Sequence, residues 1–337
     1  MAEPAASPAL PRYIDIGSNL GDPMFRGVVR DKQAHPDDFD QVLLRARKAG
    51  VGMQLLTGDC LEGSKEVLEL ANKHKGLYAT VGCHPCRATE MDAYPGGVEA
   101  YIEALDKVIM ENKGKAVAVG ECGLDYDRLF HAPKDVQLKN FPPQLELASK
   151  HDLPLFLHSR AAHSDFVSLL KAHGKPLRGV VHSHTGTAEE ALELIELGYF
   201  VGINGCSLKT QENLDCVKAL PLDKMLIETD APWCSITSTS AAAPLLATLS
   251  SSPSHAHLAP LYIPPSKKKE RWAADSMVKG RNEPCTMGQV AWVVAQLKGV
   301  SVEEVAEATR RNTLALFKGM KEQEGVWPED VGDDPQA

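Results

Sequence analysis

The run Gly179-Val180-Val181-His182-Ser183-His184-Thr185-Gly186-Thr187-Ala188-Glu189-Glu190-Ala191-Leu192 holds one structural unit and the chemistry attached to it. Its β-branched start reads as a buried strand. Imidazoles follow at the downstream end of that strand, then a turn of small residues. Thr187 with Glu190 forms a capping box, in which two side chains bond backbone N–H groups that the first helical turn leaves free. Ala191, Leu192 and Ile195 continue the helix, and Gly198 ends it. Strand, polar loop and helix in that order make a βα unit, whose strand is buried only beside other parallel strands.

Outward from this unit the same alternation recurs. Strands are predicted at about Tyr13–Ser18, Gly52–Thr57, Leu77–Val81, Ala116–Glu121, Leu155–His158, Gly179–His182, Tyr199–Ile203 and Met225–Glu228. That count closes a (β/α)8 TIM-type barrel, so the expected class is α/β. Between the strands, Phe39, Val42, Leu43, Ala46 and Ala49 share one helical face before Gly50. Val98, Tyr101, Ile102, Leu105, Val108 and Ile109 repeat the pattern, and Ser301 with Glu304 signals another helix start. Pro142 and Pro143 interrupt a run from Val136 and predict a fresh helix start, because proline suits a first turn and not an interior. The expected organisation is a flexible leader over residues 1–12 and a single barrel domain over 13–319. A disordered acidic tail over 320–337 follows. Within the barrel domain, residues from about Ile236 to Lys267 are Ser/Ala/Pro-rich and lack sustained periodicity. They are expected to form a mobile, low-complexity insert after the eighth strand, followed by a basic run of Lys267, Lys268, Lys269 and Arg271.

The 337 residues carry a formal net charge of −9, which argues against holding nucleic acid on a broadly basic surface. The acid is uneven. From Lys321 onward there are six acidic residues and one basic, so the tail contributes five of the nine net negative charges. Scattered cysteines without a compact framework read as reduced thiols of an intracellular protein of the cytoplasm or nucleus. No apolar run would span a bilayer, and the start lacks a basic and apolar signal pattern, so no membrane association is expected.

Side chains with ligand chemistry gather at the downstream ends of the predicted strands. His84 follows the third, Glu121 ends the fourth, His158 the fifth and His182 the sixth, while Asp230 follows the eighth. In a barrel these ends face one mouth, where active sites are built. Burying such groups without partners is costly, and imidazoles with carboxylates make a divalent-metal site that leaves positions open. His184 either shares the face of His182 or sits at the rim. Cys83-His84-Pro85-Cys86 is a C-x-x-C pair, but no second pair accompanies it, and His84 is the expected contributor from that segment.

These segments resemble the TatD family of metal-dependent deoxyribonucleases, among the amidohydrolase-like barrels. The resemblance rests on Tyr13-Ile14-Asp15-Ile16-Gly17-Ser18-Asn19-Leu20, Val81-Gly82-Cys83-His84-Pro85, Gly120-Glu121-Cys122-Gly123-Leu124-Asp125, His158-Ser159-Arg160, His182-Ser183-His184-Thr185-Gly186-Thr187 and Ile227-Glu228-Thr229-Asp230-Ala231-Pro232. With Arg281-Asn282-Glu283-Pro284, Asp22-Pro23-Met24-Phe25-Arg26-Gly27 and Asn204-Gly205-Cys206-Ser207-Leu208-Lys209, it is similar to the eukaryotic branch and covers about Tyr13 to Phe317. The resemblance implies a nuclease that removes nucleotides from DNA, or from RNA, in the 3′-to-5′ direction. Mg2+ is the ion expected first, with Mn2+ or Zn2+ as alternatives. It also implies that Glu121, His158, His182 and Asp230 are metal ligands, with Glu121, Asp230 and His84 taking part in catalysis. His84, Arg160, Lys209 and Arg281 are the expected substrate contacts, and the chain is expected to act as a monomer.

One departure stands out. Many family members carry two histidines on the first strand where this chain has Gly17 and Asn19. Asn19 can offer a carbonyl oxygen to a hard ion. A weaker first-metal site is therefore expected, filled in the millimolar range. Two rivals stay open at this level. One is a different hydrolase on the same barrel (amidase, lactonase or phosphotriesterase), and the other is a scaffold without turnover. The basic run, leaving the barrel on the catalytic face, is placed to meet a phosphate backbone.

Overall fold

The computed structural model describes residues 10–330. Residues 1–9 of the expected leader and 331–337 of the expected tail lie outside the described residues. Eight parallel strands stand side by side in sequence order. They are β1 Tyr13–Ser18, β2 Val51–Leu56, β3 Leu77–Val81, β4 Ala116–Asp125, β5 Leu155–Arg160, β6 Gly179–Val181, β7 Phe200–Ile203 and β8 Met225–Ile227. Between β8 and β1 the ring is drawn together just beyond the strands. Asp230 N donates to Gly17 O at 2.8 Å and Asn19 N to Ala231 O at 2.7 Å. The result is a nearly closed (β/α)8 barrel, as the alternation predicts.

Inward-facing residues fill the barrel. Ile14, Ile16, Met53, Leu55, Tyr78, Phe156, Val180 and Leu226 pack with Leu316, Phe317, Met320, Val326 and Trp327. The last of these correct the expectation of disorder from residue 320. Met320, Val326 and Trp327 are buried. Tyr78 Oη donates to Lys321 O at 2.8 Å, and Gly76 N to Gln323 Oε1 at 3.1 Å. Acidic composition describes the exposed side of this segment, while its few apolar residues seal the N-terminal end of the barrel.

The helices form the outer layer. Helix Ala188–Glu196 begins with the full Thr187/Glu190 capping box, and Ser301 accepts from Glu304 N ahead of helix Val302–Leu316. A helix over Lys134–Asn140 stops before the prolines, and a new one runs over Pro142–His151 with proline in its first turn.

The insert departs from expectation. It carries short helices at Ala243–Ala247 and Ala259–Tyr262, with 3-10 turns at Thr248–Ser251 and Ala256–Leu258. Ala242, Leu249, Leu258 and Tyr262 are buried, in one cluster with Met287, Val290, Ala291 and Val294. Tyr262 Oη lies 3.0 Å from Tyr13 Oη, and Trp292 Nε1 donates to Leu245 O at 3.1 Å. The apolar residues are spaced too irregularly to show a period, but they join one buried cluster with the helix Met287–Lys298, so tertiary packing orders a segment that its local pattern does not. The insert is therefore a packed flank of the barrel and not a mobile flap. Lys267 Nζ lies 3.3 Å from Asp275 Oδ1, and Trp272 Nε1 donates to Asp38 Oδ2 at 3.3 Å, which ties the basic run to the segment after β1. Among the described residues, no helix is long and apolar enough to cross a membrane.

Candidate active site

Strand β4 carries the centre of the site. Gly120 has φ +146°, and a Cβ there would lie 2.2 Å from Phe156 O, so β4 and β5 approach this closely only with glycine. The close approach sets Glu121 among the imidazoles from the neighbouring strand ends. Glu121 Oε1 lies 2.8 Å from His158 Nδ1, 2.7 Å from His182 Nε2 and 3.3 Å from His84 Nε2. His158 Nδ1 and His182 Nε2 are themselves 3.3 Å apart. His84 Nδ1 accepts from Cys86 N at 3.0 Å, which leaves its Nε2 to carry a proton toward Glu121.

Charge and burial oppose each other here, and charge wins. Burial alone would raise the pKa of Glu121, but His182 and His84 with the hydrogen bonds from His158 and His182 hold it well below the usual carboxylate range. Burial disfavours protonation of His182, yet Glu121 and Glu228 carry it well above an ordinary imidazole. His84 is raised for the same reason, burial being outweighed by the charge of Glu121.

Asp230 stands beside this group. Burial pushes its carboxyl up to about 6, with His182 pulling it down and Glu228 and Glu121 pushing it up. Asn19 does not turn its carbonyl oxygen to the centre. Its Nδ2 donates to Asp230 Oδ1 at 2.9 Å, and its Oδ1 accepts from Thr57 Oγ1. Asn19 therefore holds Asp230 in place, and Cys234 Sγ approaches the other carboxylate oxygen at 3.1 Å. Gly17 is glycine for a steric reason. A Cβ there would stand 2.4 Å from Glu228 Oε2 and 3.2 Å from Phe156 Cζ.

The donor set fits a divalent cation. His84, Glu121 and His158 each present a ligand atom within 4.8 Å of one another, and His182 Nε2 closes on the same carboxylate oxygen. Nitrogen and oxygen donors at a barrel mouth suit a divalent metal ion.

The remaining expected site residues separate. Arg160 Nη2 donates to Ser183 O at 3.3 Å, and Arg160 lines a cleft of about 270 Å³ together with His184. His184 is thus a rim residue, its Nε2 3.2 Å from Thr187 O. Lys209 is exposed at the end of the turn after β7. Arg281 is a correction. It is 2 % exposed, and its guanidinium is spent on two buried carboxylates, Asp38 Oδ1 and Oδ2 at 2.8 and 2.6 Å and Glu283 Oε1 at 2.7 Å. Those bonds tie the segment after β1 to the loop before helix Met287–Lys298, and burial keeps the guanidinium out of reach of a substrate. In the C-x-x-C pair, burial pushes the Cys83 thiol up to about 12, so it stays protonated at neutral pH.

Comparison with known proteins decides the family. The family model described as "TatD related DNase" matches residues 27–318. The chain belongs to the TatD family. The Schizosaccharomyces pombe protein named Deoxyribonuclease Tat-D is 46% identical over 313 residues, covering 91% of this chain and 96% of that protein. The Erwinia tasmaniensis "3'-5' ssDNA/RNA exonuclease TatD" is 34% identical, covering 90% of this chain and 98% of its own length. Among solved structures, an uncharacterized amidohydrolase from Saccharomyces cerevisiae superposes with a TM-score of 0.82 at 34% identity, over 91% of this chain and 99% of that one.

Two residues of this TatD-family site were given no role from sequence. Asp125 Oδ2 lies 3.1 Å behind His158, at Nε2, and Glu228 Oε2 lies 3.5 Å behind His182, at Nδ1. Strand alternation along β4 is a signal for Asp125; Glu228 lies just past β8, where alternation no longer applies.

Proposed function

We propose that this chain is a divalent-metal-dependent nuclease that hydrolyses phosphodiester bonds of DNA, and of RNA, from the 3′ end. The carrying observation is the carboxylate oxygen of Glu121 ringed by nitrogens of His84, His158 and His182 at the mouth of a TatD-family barrel. Glu121, His158 and His182 would hold the ion, with Asp230 beside them. Such an ion, Mg2+ first and Mn2+ or Zn2+ otherwise, lowers the pKa of water and polarises a phosphate oxygen.

The chain's own groups supply the rest. Asp230, raised toward neutrality, accepts the proton of the attacking water. His84, partly exposed and with its pKa raised, carries a proton at Nε2 that it can give to the departing 3′ oxygen as the P–O bond breaks. Arg160 binds phosphate oxygens from the rim, and Lys209 extends that contact. An exonuclease needs only a strand end delivered to the mouth, so an acidic exterior is tolerable. Eight free thiols suit a reducing compartment, and we place the protein in the cytoplasm or nucleus, acting as a monomer.

The test is digestion of single-stranded and duplex DNA, labelled at either end, with Mg2+, Mn2+, Zn2+ or chelator. Stepwise shortening from the 3′ end that chelator abolishes is expected. Undegraded DNA under every metal would overturn the proposal.

A further inference from the structure

Two thiols stand beside the site without a part in the chemistry described so far. Cys206 opens the turn after β7, and Cys234 lies in the loop after β8. Their Sγ atoms are 2.7 Å apart. The backbone presses the two loops together, since a Cβ at position 205 would collide with Cys234 O and only glycine fits. Each cysteine is also held by its own loop. Cys206 N donates to Asn204 Oδ1 at 2.9 Å. Trp233 N, one residue before Cys234, donates to Asp230 O at 2.9 Å. Sulfurs already in contact can be joined without the backbone movement that a distant pair would need.

Access and hydrogen bonding set this pair apart. Both thiols are partly exposed, and Cys234 sits between the exposed Trp233 and Ser235. Cys60, Cys83, Cys122, Cys216 and Cys285 are buried. Cys86, the other partly exposed thiol, faces Asp125 Oδ2 at 3.9 Å. From the pair, hydrogen bonds run in one line to the catalytic group. Cys206 S–H donates to Cys234 Sγ, and Cys234 S–H to Asp230 Oδ2 at 3.1 Å. Asn19 Nδ2 holds the other oxygen of the same carboxylate at 2.9 Å. Cys234 thus helps to fix Asp230, the group proposed to take the proton of water.

We propose that Cys206 and Cys234 are a reversible oxidation site, at which hydrogen peroxide converts the two thiols to a disulfide and slows cleavage by withdrawing Cys234 from Asp230. The disulfide stands on the thiol pair itself, and its effect on cleavage rests on the nuclease reading. One sulfur gives two electrons to the O–O bond of the peroxide and becomes S–OH, while one water leaves. The second sulfur attacks the first, the S–S bond forms as the S–O bond breaks, and hydroxide departs with the second thiol's proton as water. Two thiols and one peroxide give one disulfide and two waters. A dithiol reductant returns both thiols by exchange. In a reducing compartment, disulfides are of this transient kind. In the bridged form neither sulfur keeps a proton, so Asp230 Oδ2 loses its S–H donor and the carboxylate is left to the Asn19 side.

The test treats the full chain with hydrogen peroxide in the presence of Mg2+, removes the excess with catalase, and follows both the thiols and the cleavage of DNA. Peptide maps made without reductant should show Cys206 joined to Cys234, and the intact chain should be lighter by the two thiol hydrogens. Turnover of DNA should fall about 10-fold, the scale of a lost hydrogen bond to a charged group, and dithiothreitol should restore it. Cys206→Ser should start from the parent's turnover, because Cys234 keeps its proton for Asp230, and should show no loss that dithiothreitol reverses. The peptide map of the parent needs no variant, so poor folding of Cys206→Ser leaves the site open to refutation. Cys206 and Cys234 still unlinked after the buried thiols have reacted would overturn the proposal. A linked chain that cleaves as fast as the reduced one would overturn its control of cleavage. So would reversible inactivation of Cys206→Ser equal to that of the parent. A chain that forms the link but cleaves no DNA when reduced would overturn the proposed function and support the disulfide site.

Discussion

Replacing Arg281 with Met keeps most of the side-chain volume and removes one buried charge. The guanidinium makes four hydrogen bonds of 2.6 to 2.9 Å, three to the carboxylates of Asp38 and Glu283 and one to Met24 O. Arg45 stays behind to bond Glu283, its Nε 2.8 Å from Oε2, but its Nη2 is 3.7 Å from Asp38. The variant therefore strands roughly one negative charge in a site where both carboxylate side chains are fully buried. Breaking a buried pair from one side costs about 3–5 kcal/mol. At roughly 2–4 °C per kcal/mol for a domain of this order, the thermal midpoint should fall by roughly 6–20 °C. Circular dichroism on heating measures that shift, and DNA digestion well below the transition measures KM. We expect a large loss of stability with KM unchanged. A parent-like midpoint with a raised KM would show that Arg281 serves the substrate and that the buried network is dispensable.

Glu121→Ala and His158→Ala should abolish metal-dependent cleavage while keeping a folded barrel by circular dichroism, since both lie at the mouth; normal activity in either would remove them from the ligand set. Gly17→His, which restores a first-strand histidine, should destabilise by about 1–3 kcal/mol through overpacking against Glu228 and Phe156. A parent-like midpoint with an added equivalent of bound metal would contradict that. Burial raises Asp230 to about 6, so its ionised form, and the stability linked to protonation, change over the same window. In metal-free protein the midpoint of Asp230→Asn should gain on the parent as pH rises from 4 through 6, and a pH-independent gap would exclude the shift. Changing Lys267, Lys268 and Lys269 together to Ala should raise KM for long DNA and flatten its salt dependence, with a small phosphodiester unaffected; equal salt slopes would make the run irrelevant to binding.

The barrel was legible in the sequence because each βα unit writes its own signals. The short strand Gly179–Val181, the Thr187 cap and the proline start at Pro142 depend on contacts a few residues away, so they survive in one dimension. The polar strand ends were legible for a related reason. His158 and His182 follow aliphatic runs that only a barrel wall can bury, and that wall delivers its downstream ends to one mouth. What tertiary structure alone decided is the work of partners distant in sequence. Arg281 looked available for phosphate until Asp38, on the far side of the barrel's chain, was seen to claim it. Leu249, Leu258 and Tyr262 sit in a stretch without period, and become core only by joining the buried cluster that includes the helix Met287–Lys298. Trp327, in an acidic tail, becomes a plug because its ring packs over Gly52 in β2 and joins the barrel's inner cluster. Gly17 shows the limit most plainly. Its lack of a side chain is a gap in the sequence pattern, and only the fold reveals that the carboxylate of Glu228 takes that volume. Local hydrogen bonding and periodicity are short-range and can be read along the chain. Charge pairing and cavity filling depend on where the chain returns, so they can be read only once it has folded.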